Sequence, residues 1–136
     1  MKNKLYYVAN GQKETIINSI KENENIFIAE INGLNIKTSS EYLEIIRKVF
    51  NFPKPLENYK LNYDGYLDWI RDLSWIDTQE FVLIIRNFSL FLKDDLTTKN
   101  EIIDDFKEII LPWWETEVEQ CVVGGKAKPF NIYLID

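Results

Sequence analysis

Residues 81–86 read FVLIIR, five apolar side chains in a row before an arginine. A run that does not alternate with polar residues suits a strand covered on both faces of a sheet. Two runs of the same Ile-, Val-, Phe- and Tyr-rich character, IFIAEI at 26–31 and FNIYLI at 130–135, read as buried strands too, and KLYYVA at 4–9 reads as a fourth, at an edge. Helical patterns lie between them. Thr38 and Glu41 have capping-box spacing ahead of a stripe of Tyr42, Leu43, Ile46, Val49 and Phe50. Thr98 and Glu101 repeat that spacing ahead of Ile102, Ile103, Phe106, Ile109 and Ile110, over 98–111. A weaker helix spans 13–22 on Ile16, Ile17 and Ile20. Strands alternating with helices predict an α/β fold: a mostly parallel three-stranded sheet, with a possible extra edge strand, packed with helices in two or three layers.

The remaining stretches are less patterned. NFPKPLENYKL at 51–61, with two prolines, reads as a loop, and SLFLKDDL at 89–96 as one short helix. In PWWETEVEQCVVGGKAKP, 112–129, the pair Gly124-Gly125 suits a hairpin turn, with Pro129 confined to an edge. There is no repeat, low-complexity tract or linker. One domain is expected, with residues 1–25 as an N-terminal extension packed on a body formed by 26–136.

Composition narrows the function. With 46% hydrophobic and 28% charged residues, the chain of 136 is that of an ordinary globular protein. Twenty-two acidic against 16 basic residues leave a net charge of −6. That argues against nucleic-acid binding, which draws its affinity from Lys and Arg on phosphates, and favours attraction to basic surfaces. Histidine is absent, which removes the commonest general base and transition-metal ligand, and no glycine-rich phosphate loop occurs. No enzyme activity, cofactor or metal site is expected. The single Cys121 rules out an internal disulfide and suits a reducing compartment. No stretch has the length of a signal peptide's apolar run or of a membrane span, so a soluble, cytoplasmic chain is expected.

The segment NYDGYLDWIRDL, 62–73, is the most informative for function. With Asn62 as N-cap, Tyr63, Tyr66, Leu67, Trp69, Ile70 and Leu73 fall on one broad helical face and Asp64, Asp68 and Asp72 on the other. Like charges four residues apart cost roughly 0.2–0.5 kcal/mol per pair, and Gly65 in a helix interior about 1 kcal/mol. The plain reading is a solvated polar face. The sharper one is a binding surface on which Gly65 lets a partner's backbone come close. A calcium or magnesium site is disfavoured, because a straight helix rarely wraps enough oxygens around an ion.

NYDGYLDWIRDLSW resembles the signature helix of the barstar family, intracellular inhibitors of small secreted ribonucleases, in which an Asn-x-Asp-Ala-x-x-Asp pattern recurs. INGLNIKTSSEYLEIIRKVFNFP resembles the family's first strand and helix, VLIIRNF its second strand, EIIDDFKEI its last helix and FNIYLI its final strand, in that order over 26–136. The resemblance implies a parallel three-stranded sheet and a protein that blocks a nuclease active site as a monomer in a 1:1 complex. Asp68 matches the aspartate that takes the place of an RNA phosphate. Asp64 and Asn62 match the first motif aspartate and asparagine, Gly65 the motif alanine, Glu108 a supporting glutamate, and Tyr59, roughly, a loop tyrosine. Tyr63, Leu67 and Asp72 border that surface. The departures are a loop at 54–61 longer than in the family's best-known member, Leu67 in place of a frequent tryptophan, and Arg71 beside Asp64 and Asp68. Residues 1–25 and 112–129 have no family counterpart. The pair Trp113-Trp114 is expected to pack over the sheet rather than face solvent. An adaptor of the same fold with a different partner is the alternative.

Overall fold

The structure, a computed structural model, describes residues 2–53 and 60–136. Four strands, β1 (Leu5–Val8), β2 (Ile26–Asn32), β3 (Glu80–Arg86) and β4 (Phe130–Ile135), form one parallel sheet in the order β1-β4-β3-β2. The α/β class, the parallel sheet and the extra edge strand are as the sequence predicts. β3 lies between two neighbours and under helices on both faces, and its residues Phe81 to Ile85 are all buried. Side chains alternate across a strand. Phe81, Leu83 and Ile85 therefore join one core and Val82 and Ile84 another.

The larger core lies under α2 (Ser39–Val49), α3 (Tyr63–Ile70) and α4 (Leu96–Asp105), which contribute Tyr42, Ile46, Tyr66, Ile70, Ile102 and Ile103. The smaller one lies under α1 (Lys13–Lys21), whose Ile17 and Ile20 cover Val82, Ile84 and Ile135. The arrangement is three-layered but lopsided. β1 and α1, both within residues 1–25, extend the sheet and cover its second face.

Local chemistry sets the helix ends. Thr38 Oγ1 accepts from the Glu41 N–H, as the expected box requires, while the Glu41 carboxylate reaches one residue further back to the Lys37 N–H and also accepts from the Thr38 hydroxyl. The second predicted box is not formed. Asp95 caps α4 by accepting from the N–H and the hydroxyl of Thr98, so Thr98 is inside the helix. Those two bonds hold the Asp95 carboxyl below its usual range. Nor is 89–96 a helix: it holds the end of a single 3-10 turn, Phe88–Leu90, and further turns, with Leu92 at φ 48°.

The largest difference lies after residue 111. A helix is expected over 98–111 and a hairpin turn at Gly124-Gly125; the helix runs on past 111 and no hairpin forms there. The helix continues through a π turn, Phe106–Ile110, and a second, Trp113–Glu117, into α5 (Val118–Cys121). A proline breaks a helix by lacking an N–H and by crowding the carbonyl four residues back. The wider π spacing, with the Leu111 N–H donating to the Phe106 carbonyl, meets the proline where the regular ladder is already interrupted. The glycines turn the chain back along the same helix, with the Lys128 N–H donating to the Trp114 carbonyl.

The N-terminal segment meets the long helix near its π turns. The Asn3 N–H donates to Glu115 at 2.7 Å, its side-chain amide donates to the Leu111 carbonyl at 3.1 Å, and its side-chain oxygen accepts from the Phe130 N–H at 3.0 Å. Asn3 is buried, and these bonds satisfy backbone groups left over by the π turn and the start of β4.

Candidate functional site

α3 has eight residues, too few to be stable alone, so its position comes from what holds it. At its N-terminus Asn62 Oδ1 accepts the Gly65 N–H at 2.7 Å. At its C-terminus two indoles act as caps: Trp114 Nε1 donates to the Ile70 carbonyl at 3.0 Å and Trp113 Nε1 to the Arg71 carbonyl at 2.7 Å. The last carbonyls of a helix lack intrahelical donors, and here the second π turn brings the donors to them. Trp75 does the same for α2, donating to the Phe50 carbonyl at 2.8 Å.

The buried face is tied sideways. The hydroxyls of Tyr66 and Tyr42 share a hydrogen bond at 2.7 Å, which links α3 to α2, and the Tyr63 hydroxyl donates to Asp105 at 2.5 Å, which links α3 to α4. Burial raises all three phenols above their ordinary range, and for Tyr63 the bond to Asp105 adds to it. A phenol raised in this way contributes its full stability below the value of ~10 it has in the unfolded chain and loses it as pH climbs further. Alkaline unfolding should therefore be a single steep transition beginning above about pH 10, with tyrosinate absorbance and loss of helical ellipticity rising together. Full tyrosinate absorbance with the helices still intact would contradict this account of how α3 is held.

The opposite face is acidic and open. Asp64 is exposed and has no ion pair among the described residues. The Asp68 side chain is 77% exposed and meets Arg71 Nη2 at 3.3 Å. Arg71 is itself placed by three contacts: Nε donates to the Leu67 carbonyl at 3.0 Å, Nη2 reaches Asp68, and the guanidinium lies 5.4 Å from the centre of the Trp113 ring. The helix stops at Ile70 and Leu73 takes φ 51°, so Asp72 lies beyond the helix rather than in line with the other two aspartates. It is exposed, and its Oδ1 accepts the Ser74 N–H.

The other candidates differ in placement. Gly65 and Leu67 are half-buried on α3, and Tyr63 is committed to Asp105. Glu108 is exposed on the first π turn and has no hydrogen bond or ion pair with the α3 carboxylates. Tyr59 lies outside the described residues. Among the described residues no group of three or more His, Cys, Asp or Glu side chains is placed to hold a metal ion, and no helix is long and apolar enough to cross a membrane. Reading the sequence missed the role of Trp113 and Trp114. The available signal was a tryptophan pair right after a proline that follows the helical pattern of 98–111.

Asp68, Arg71 and Asp72 also border an open groove of about 600 Å3 shared with Trp113, Val118 and Val122. Two exposed carboxylates, Asp64 and Asp68, on a helix held from its buried side and at its C-terminus can accept charge-assisted hydrogen bonds from a cationic surface without reorganising.

Comparison with known proteins bears on the family and the fold. No curated protein matches the sequence. Among solved structures, the Aeropyrum pernix ORC2 protein (ADPNP-ADP complexes) superposes with a TM-score of 0.51 at 14% identity, over 98% of this chain and 34% of that one. This chain thus spans about a third of that protein's length, and the likeness is one of fold alone. The family described as Barstar (barnase inhibitor) matches residues 26–125, which include α3, both π turns and the Gly124-Gly125 turn, so most of 112–129, expected to lack a family counterpart, lies inside the match. This chain belongs to the barstar family.

Proposed function

We propose that this protein is an intracellular, cytoplasmic inhibitor that binds a basic ribonuclease or related toxin nuclease 1:1 and blocks its active site, as an immunity protein of the cell that makes it. The observation that carries the reading is α3 itself: the family's motif helix presents Asp64 and Asp68 to solvent while Tyr42, Asp105, Trp113 and Trp114 hold it from behind and at its end. In this reading Asp68 occupies the place of an RNA phosphate and Asp64 lies beside it. Asn62 holds the helix start, Gly65 permits close approach, and Glu108, Tyr59, Leu67 and Asp72 border the contact. Tyr63 acts from behind, through Asp105.

Arg71 does not oppose this use. Its pair with Asp68 is largely solvent-exposed, and such pairs contribute about 0–1 kcal/mol. A cluster of enzyme cations around Asp68 outweighs that. The clustered charge would also speed association with a basic enzyme, an effect that salt screens.

The test is RNA cleavage by a barnase-type ribonuclease titrated with this protein. Activity should fall in proportion to inhibitor until the two are equimolar, with slower association at higher salt. Unchanged cleavage under a several-fold excess of the protein would refute the reading and leave the adaptor alternative.

A further inference from the structure

The open edge of the sheet at β1 lies beside a cleft of about 500 Å3 that no residue of α3 lines. One wall is the start of β1; the other is the side of the long helix that carries Lys107, Leu111, Pro112 and Glu115. Lys2, Lys4 and Lys107 face a single carboxylate there, Glu115, one oxygen of which already accepts the Asn3 N–H at 2.7 Å. All three lysines are exposed, and none forms an ion pair among the described residues. Asp104 and Glu108, exposed on the same helix as Lys107, do not line the cleft. On a chain of net charge −6, this local surplus of cations stands apart.

The strand itself offers backbone groups. β1 pairs with β4 and ends the sheet. The Ile132 N–H donates to the Lys4 carbonyl at 3.0 Å and the Asp136 N–H to the Val8 carbonyl at 3.1 Å, so Lys4, Tyr6 and Val8 turn their backbone toward β4. Successive residues of a strand turn theirs to opposite sides. The N–H and carbonyl groups of Leu5 and Tyr7 are therefore left on the open edge, with no partner among the described residues. Tyr7 is 64% exposed, with Lys107 Nζ 5.9 Å from its ring centre, and Tyr6 stacks on Tyr133 at 4.9 Å. Asn3 fastens the start of the strand to the long helix, so the edge is already ordered for a further strand.

We propose that β1 and this cleft dock an extended acidic segment of a protein partner, which adds a fifth strand to the sheet. Its backbone would bond Leu5 and Tyr7, and carboxylates along it would meet Lys2, Lys4 and Lys107. Lysine on an edge strand blunts pairing with most chains, and carboxylates opposite it remove that penalty. A second copy of this chain would bring three further lysines to the same edge, so charge selects the acidic segment over self-pairing. The contact uses no residue of the inhibitor face except the bordering helix of Glu108, and it stands without the inhibitor reading.

The experiment titrates the full chain with a short labelled peptide alternating glutamate and valine. Binding is followed by fluorescence anisotropy, and amide hydrogen exchange is read residue by residue by NMR. The peptide should bind, more weakly as salt rises, and slow exchange at Leu5 and Tyr7. A peptide alternating lysine and valine should not bind. Lys107 is exposed, so Lys107→Gln should keep the wild-type circular dichroism. It should weaken binding of the acidic peptide by up to about fivefold at low salt, the worth of one exposed ion pair. Failure of the acidic peptide to bind, or equal binding of the two peptides, overturns the proposal. Binding that leaves exchange at Leu5 and Tyr7 unchanged overturns the strand pairing. Protection of those amides by self-association without peptide overturns the proposed occupant in favour of a second copy.

Discussion

Asp68→Ala is expected to weaken inhibition of a barnase-type ribonuclease by on the order of 10²–10³-fold, mostly through faster dissociation. In the bound state the carboxylate would be desolvated among the cations that normally hold a phosphate. Removing it leaves those cations buried and unpaired, and truncating one partner of such a pair costs roughly 2–5 kcal/mol. That range comes from barnase–barstar, itself a complex of this family. The folded protein should hardly notice the change. The Asp68 side chain is 77% exposed, Arg71 keeps its bond to the Leu67 carbonyl, and surface substitutions of this kind usually stay within about 0.5 kcal/mol. Unaltered inhibition by the variant would mean that another residue carries the contact.

Trp114→Ala should have the largest effect on stability. The indole is 4% exposed, packs 5.2 Å from the Phe81 ring and donates to the Ile70 carbonyl. Emptying a site of this size typically costs about 3–5 kcal/mol, a large part of the roughly 5–15 kcal/mol that holds a domain together. Trp114→Phe separates the two contributions. It keeps an aromatic ring against Phe81 but leaves the Ile70 carbonyl without its donor, at a cost of about 1–3 kcal/mol. Urea unfolding reads both as falls in the midpoint, Ala well below Phe. A Trp114→Ala midpoint equal to wild type would show that the π-turn segment does not hold α3.

The sheet was legible because burial on both faces leaves a direct trace. FVLIIR is unbroken, and β3 lies inside the sheet with helices on either side. α2 and α3 were legible because Thr38 and Asn62 cap their own chains a few residues on, which spacing alone reveals. The start of α4 was misplaced because two adjacent polar signals compete there: Asp95 and Thr98 both have capping chemistry, and the aspartate takes the role with Thr98 as its donor. Residues 112–129 were misread for a different reason. A π turn has no sequence period of its own, so the helical pattern of 98–111 gave no sign of continuing past Pro112. The partners that make the continuation worthwhile, the Ile70 and Arg71 carbonyls and Asn3, are far away along the chain.

The candidate site divides along the same line. The aspartates could be placed on one helix from local spacing, except that Asp72 falls past the turn at Leu73, whose positive φ nothing in a leucine announces. The supports of that helix come from distant residues: Asp105 for Tyr63, Tyr42 for Tyr66, Trp113 and Trp114 for its last carbonyls. The pairing of Arg71 with Asp68 was open in the sequence, which placed Arg71 beside both Asp64 and Asp68, and the stacking of Arg71 on Trp113 could not be anticipated.

The most direct measurement of the central claim, that a carboxylate of α3 takes the place of substrate phosphate, is the dependence of inhibition on RNA concentration. With a barnase-type ribonuclease, the wild-type protein should compete with RNA: the apparent inhibition constant should rise in proportion to substrate, and a saturating mononucleotide should slow binding of the inhibitor. Inhibition that is unaffected by substrate concentration would place the protein elsewhere on the enzyme and contradict the account.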